Sequence, residues 1–274
     1  MKQHVINTEP LALGSIDELI NHDFELTLSG DARQNITNCR DYLDKRMEGT
    51  EGPIYGINTG FGALYNKTIS RKDLGQLQKN LVMSHACGQG DEVPNDIVKL
   101  MLFLKAQALS YGNSGVQLNT VRRLIDFYNY GITPVVYEQG SLGASGDLAP
   151  LAHLCLPLLG LGEVYYENEK YRSKALLDKF GWEPIGLQSK EGLALLNGTQ
   201  FMSAYGVFAL AKVAKLSELA DLVSAISLDA FDGRIEPFHE RVHLIRKHKG
   251  QVIAAKRISK LLEGSGIISQ PKKH

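Results

Sequence analysis

A chain of 274 residues is long enough to bury a sizeable core, as one large domain or two modest ones. Apolar residues make up 43% and charged residues 22%, an ordinary balance for a globular protein. Lys plus Arg and Asp plus Glu both number 30, so no bulk basic field argues for a nucleic-acid partner.

The N-terminus, Met1-Lys2-Gln3-His4, leads into no apolar signal-like run, and no stretch approaches membrane-spanning length. A cytoplasmic protein with no membrane contact is expected. The run from Tyr55 to Gly62, with its three glycines and Asn58, reads as a loop. Pro94-Asn95-Asp96 marks a helix start, followed by Ile97, Leu100, Met101, Leu104 and Ala108 at helical spacing, and closed by Gly112 and Gly115. A second short helix is expected over 121–130 and a strand over Pro134-Val135-Val136-Tyr137. Residues 147–159 read as a third helix, since Pro150 is tolerated in a first turn. A hairpin is expected over 163–172, turning near Asn168. The longest candidate helix covers 199–231; it is rich in Ala, Leu, Val and Ser, holds no Pro, and opens from Asn197-Gly198-Thr199. Such a helix usually belongs to a bundle. Arg241, Arg246, Lys247, His248, Lys249, Lys256 and Arg257 make the C-terminal part locally basic, read as a solvated face and loop.

Cys39, Cys87 and Cys155 are too few and too scattered for a disulfide framework or a structural zinc site, and are read as free thiols. Cys87 stands two residues from His85, a spacing at which side chains on a helix do not face each other, so it is not taken as a nucleophile.

The most distinctive stretch is Gly143-Ala144-Ser145-Gly146-Asp147-Leu148, between Gly140-Ser141-Leu142 and Ala149-Pro150. Small residues packed this closely let the backbone double back. The Gly146 nitrogen could then reach the Ala144 carbonyl and Ser145 could lose water, leaving a methylidene-imidazolone ring. The plainer alternative is a helix start with Asp147 near its positive end.

Tyr55-Gly56-Ile57-Asn58-Thr59-Gly60-Phe61-Gly62, Ser84-His85-Ala86-Cys87-Gly88, Gly112-Asn113-Ser114-Gly115, the 140–147 stretch and Leu196-Asn197-Gly198-Thr199-Gln200 follow one another in this order. Together they resemble the aromatic amino acid ammonia-lyases, most closely the histidine ammonia-lyases, from about Leu13 to the C-terminus. Members of that family continue well past the position of His274, so further site residues are expected beyond it. The resemblance implies a mainly α fold, a long-helix bundle with a small mixed α/β N-terminal region around the electrophile loop. It divides the chain into an N-terminal domain over 1–198 and the start of the central helical bundle over 199–274.

It also implies elimination of ammonia from L-histidine to give trans-urocanate. Such substrates have a poorly acidic β-C–H and a poor leaving group, so the reaction needs an electron-accepting group and a base. The resemblance supplies the first as a methylidene-imidazolone formed autocatalytically from Ala144, Ser145 and Gly146, with no metal or nucleotide. Asp147, Leu148 and Gly62 match positions that support this group. Tyr55 matches the base, on a loop able to close over substrate. Ser84 and His85 match the pair that meets the substrate side chain, where an imidazole can hydrogen-bond another imidazole. Asn197 matches a residue hydrogen-bonding near the electrophile; its amide could equally cap the following helix. A homotetramer acting on a small amino acid is implied. A tyrosine or phenylalanine lyase or aminomutase with the same electrophile, and an inactive helical assembly module, are the alternatives.

Overall fold

A computed structural model describes residues 2–22, 24–49, 52–59 and 68–271. The chain opens with strands β1 (Lys2–Ile6) and β2 (Phe24–Leu28), parallel and paired from Lys2 with Phe24 to Ile6 with Leu28. Helix α1 (Leu13–Asn21) makes the crossover between them. In β2 the odd-even alternation buries Phe24, Leu26 and Leu28 and turns Glu25 outward, the period of a one-sided strand. Helix α2 (Gly30–Glu48) follows, its N-cap Ser29 accepting from the Ala32 N–H.

Next come α3 (Leu74–His85), the short β3 (Gln89–Glu92), α4 (Asn95–Ser110) and α5 (Leu118–Asn129). The Pro94 start of α4 is as expected from sequence, but this helix is buried on nearly every side. Met101, Leu102 and Phe103 are all at most 1% exposed. It is therefore the central rod of the core, where each fully buried large apolar side chain contributes roughly 1.5–3 kcal/mol. Helix α5 begins before the expected residue 121 because of a distant side chain. The buried Glu191 carboxylate accepts from the Gln117 N–H and the Thr120 hydroxyl, satisfying the first turn.

The strand expected over 134–137 is two strands in two sheets. Thr133–Pro134 (β4) pairs with Glu163–Tyr166 (β6), which pairs with Glu169–Arg172 (β7). Tyr137–Gln139 (β5) pairs instead with β3. The residues between carry the handover: the Val135 N–H donates to Glu163, and the Val136 carbonyl accepts from Val93. The β6–β7 hairpin turns at Glu167 and Asn168, with φ of 51° and 64°, the left-handed pair that a two-residue hairpin favours.

Helix α6 (Leu148–Cys155) continues as a 3-10 turn over Leu156–Leu159, with Pro150 in its first turn. Helices α7 (Ser173–Lys179) and α8 (Glu191–Leu196) lead to α9 (Gln200–Ala230), the 31-residue helix the sequence announces. Short α10 (Glu240–Leu244) and α11 (Lys249–Leu261) close the chain. The architecture is mostly helical.

The chain divides into two compact units, Met1–Phe208 and Ala209–His274. The first holds the main core. The second has a small apolar centre of Ala225, Ile258 and Leu262, and an Arg257–Asp221 hydrogen bond at 3.1 Å. Along its share of α9, Leu210, Val213, Leu216, Leu219, Val223 and Ile226 are exposed at three- and four-residue intervals, an apolar stripe. Arg241, Arg246, Lys247, His248, Lys249 and Lys256 are exposed. Among the described residues no helix is long and apolar enough to cross a membrane.

Candidate active site

The glycine-rich stretch forms a tight reversal. Gly143–Ser145 is one 3-10 turn, and the Gly146 N–H returns to the Gly143 carbonyl at 3.4 Å. Gly143 has φ 36° and Gly146 φ 93°, a region that side-chain-bearing residues avoid. A Cβ on Gly146 would also sit 3.1 Å from the Gly198 carbonyl oxygen, so glycine is required there by conformation and by space. Ala144 is exposed. A backbone already turned back over Ala144-Ser145-Gly146 fits a group closed from these three residues.

Asp147 does not serve the helix it precedes. It takes no side-chain capping bond to α6, and its carboxylate reaches the start of α9. There Oδ2 accepts from the Met202 N–H at 3.0 Å, while Oδ1 accepts from the Ser141 hydroxyl at 2.6 Å. Met202 lies in the first turn of α9, where backbone N–H groups lack helical acceptors, so a carboxylate from elsewhere in the chain fills the role. The Asp147 N–H donates to the Gly198 carbonyl at 2.9 Å, and Ser141 Oγ also accepts from Gly143 N–H at 3.3 Å. Asp147 is fully buried; Leu148 opens α6 and packs against the core.

Asn197 is not the N-cap of α9. It ends α8, with its Nδ2 donating to the Leu193 carbonyl at 3.2 Å and its side chain on the surface. Its own carbonyl accepts from the Nζ of Lys105 at 3.0 Å. Lys105, on α4, is 1% exposed. Burial lowers its pKa to about 8, opposed by the Cys155 thiol and the Asp147 carboxylate. Burial likewise pushes the Cys155 thiol up to about 12. Sequence reading passed over Lys105, although the signal was present: it follows Met101 by four residues, on the apolar face of a helix.

Ser84 and His85 end α3. His85 Nδ1 donates to the Leu81 carbonyl at 2.7 Å. Ser84 Oγ donates to the same carbonyl at 3.1 Å. Three residues on, the Gly88 N–H donates to His153 Nε2 of α6 at 3.0 Å, tying the segment after His85 to the helix after the electrophile turn. Burial lowers the His153 pKa.

Tyr55 is 56% exposed and starts a turn over 55–58. Buried Asn58 braces this turn, accepting from Ile54 N–H and donating to the Gly52 carbonyl. Gln78 of α3, also missed in the sequence, links the turn to α8: its Nε2 donates to the Ile57 carbonyl at 3.3 Å, and its Oε1 accepts from the Gly192 N–H at 2.8 Å. Gly62 lies outside the described residues. Gly143, Gly146, Asp147 and the Asn197–Gly198 backbone are thus joined in one hydrogen-bonded network with Ser141, Met202 and Lys105. The bonds traced for Tyr55's turn and for Ser84–His85 reach that network through α3, α6 and α8.

The profile of the family described as aromatic amino acid lyase matches residues 11–274. The histidine ammonia-lyase of Caldanaerobacter subterraneus subsp. tengcongensis is 42% identical over 271 residues, 98% of this chain and 53% of that protein. Among solved structures, the histidine ammonia-lyase of Trypanosoma cruzi superposes with a TM-score of 0.85 at 34% identity, covering 94% of this chain and 50% of that one. The tyrosine aminomutase of Streptomyces globisporus superposes with a TM-score of 0.89 at 30% identity, over 96% and 49% respectively. The chain spans about half the length of the curated relatives it matches.

Proposed function

This chain belongs to the aromatic amino acid lyase family, and from that premise we propose that the protein eliminates ammonia from L-histidine to give trans-urocanate, the opening step of histidine breakdown. The observation that carries the reading is the reversal over Gly143–Gly146, pinned by Asp147 to Gly198 and to the first turn of α9. Ala144, Ser145 and Gly146 would hold the methylidene-imidazolone, which supplies an electron-accepting centre that ordinary side chains lack. Asp147, Leu148 and Gly62 support it, and Asn197 lies one residue from the Gly198 carbonyl that Asp147 holds.

Tyr55 serves as the base that takes the β-proton, on a turn exposed enough to meet substrate. Ser84 and His85 receive the substrate side chain. His85 brings an imidazole able to hydrogen-bond a substrate imidazole, a match that a phenyl ring does not provide. Ala144, Tyr55, Ser84 and Asn197 all lie at the surface, and α9 bears an apolar stripe. Both features support a site completed by association, and the family reading carries with it a homotetramer acting in the cytoplasm. The domain division at 198/199 belongs to the same reading.

The test is ultraviolet absorbance after adding L-histidine or L-tyrosine to the purified protein. Growth of the urocanate band with L-histidine alone is expected. A coumarate band with L-tyrosine moves the assignment to the tyrosine-acting members of the family, and no change with either substrate overturns turnover by this chain in favour of the inactive assembly module.

A further inference from the structure

A lysine has no obvious place in the middle of this core. Lys105 sits on the central helix with Met101 and Phe103, and its Nζ donates to the Asn197 carbonyl. A methionine would fill such a volume without the cost of taking an ammonium out of water. Buried charges persist where an opposite charge lies near, and Asp147 is the buried carboxylate whose field reaches Lys105. Among the described residues neither makes an ion pair within 4.0 Å. They act on consecutive peptide groups instead: Lys105 Nζ holds the Asn197 carbonyl, and the Asp147 N–H holds the Gly198 carbonyl. The electrophile turn leans on that same segment, since a Cβ at Gly146 would meet the Gly198 oxygen at 3.1 Å.

We propose that Lys105 is a positioning residue, which fixes the Asn197–Gly198 backbone against the electrophile turn and sets a positive charge in the field of buried Asp147. The proposal rests on the reading of Ala144-Ser145-Gly146 as the electrophile. In that reading Gly146 N bonds to the Ala144 carbonyl carbon, whose oxygen leaves as water. Ser145 then gives up its hydroxyl with its Cα proton as a second water. Cyclisation needs that nitrogen and that carbonyl held together, which is what an anchored Gly198 contributes. The titratable groups that act on Lys105 are Cys155 and Asp147, both from α6 or its start. With its pKa lowered to about 8, the ammonium loses its charge just above neutral pH.

The experiment compares the protein with K105M, K105R, D147N and K105M/D147N, reading ring maturation by intact mass and stability by urea unfolding. K105M is expected to keep its secondary structure yet lose the two waters at least tenfold more slowly, with K105R recovering most of the rate. Turnover of the parent protein should fall as pH rises through about 8, and this limb should move upward in K105R, whose guanidinium stays charged. Maturation of K105M at the parent rate, or a limb unmoved in K105R, overturns the proposal. If K105M does not fold, the K105R limb decides. If the parent protein itself keeps both waters, the electrophile reading fails, and Lys105 is judged on the unfolding cycle alone. A coupling of tenfold or more between K105M and D147N upholds the charge placement; additive effects overturn it.

Discussion

Gln78 offers the sharpest test of how the site is braced. It is fully buried on α3, and its amide spans two separate pieces of the site, the Tyr55 turn through Ile57 and helix α8 through Gly192. Gln78→Met keeps nearly the same volume, so little cavity is created. It leaves the Gly192 N–H facing a thioether, an orphaned buried donor worth roughly 1–3 kcal/mol, and removes the longer bond to Ile57, worth roughly 0.5–1 kcal/mol. The sum is a loss of about 1.5–4 kcal/mol, measured as the shift in urea midpoint at unchanged slope. Gln78→Ala should cost more, because it adds a cavity. Neither variant touches the electrophile turn, so the mass of the mature protein should be unaffected while turnover falls through the loosened Tyr55 turn. A Gln78→Met protein within about 0.5 kcal/mol of the parent refutes the bracing role.

Leu151→Ala, at a fully buried position on α6, should cost about 2–5 kcal/mol in the same unfolding assay, and a loss under about 1 kcal/mol would contradict the packing described. His153 gives a pH dependence. Burial holds its pKa below the ordinary 6.5, so below that pH the unfolded chain binds more protons than the native one. Stability should therefore drop as pH falls below about 6.5, where the unfolded chain takes up a proton that the buried native ring, with Nε2 accepting from Gly88, resists, and His153→Gln should flatten the drop. Parallel curves for the two proteins would count against this. Tyr55→Phe should cut turnover by at least about a hundredfold while leaving ring maturation intact by mass; a fully active variant removes Tyr55 as the base.

Much of the helical framework could be read from the chain because its signals are local. The 199–231 run has no proline, Pro94 sets the start of α4, and Asn168 supplies a left-handed residue for the hairpin. What escaped depends on partners far away in sequence. The start of α5 is fixed by Glu191, and the break of the 134–137 strand by Glu163 on one side and Val93 on the other. The candidate site divides the same way. The reversal at 143–146 follows from its glycines, but that Asp147 serves α9 rather than α6 depends on where Met202 ends up. Lys105 and Gln78 lie inside helices and outside every motif, and only the assembled core shows what they reach.

The central claim is that Ala144, Ser145 and Gly146 close on themselves, and the intact mass of the mature protein tests it most directly. The parent chain should weigh two waters less than its sequence, with the deficit mapped to the peptide holding residues 144–146, and Ser145→Ala should not show that deficit. A parent protein at its full sequence mass, with an unaltered peptide there, contradicts the account.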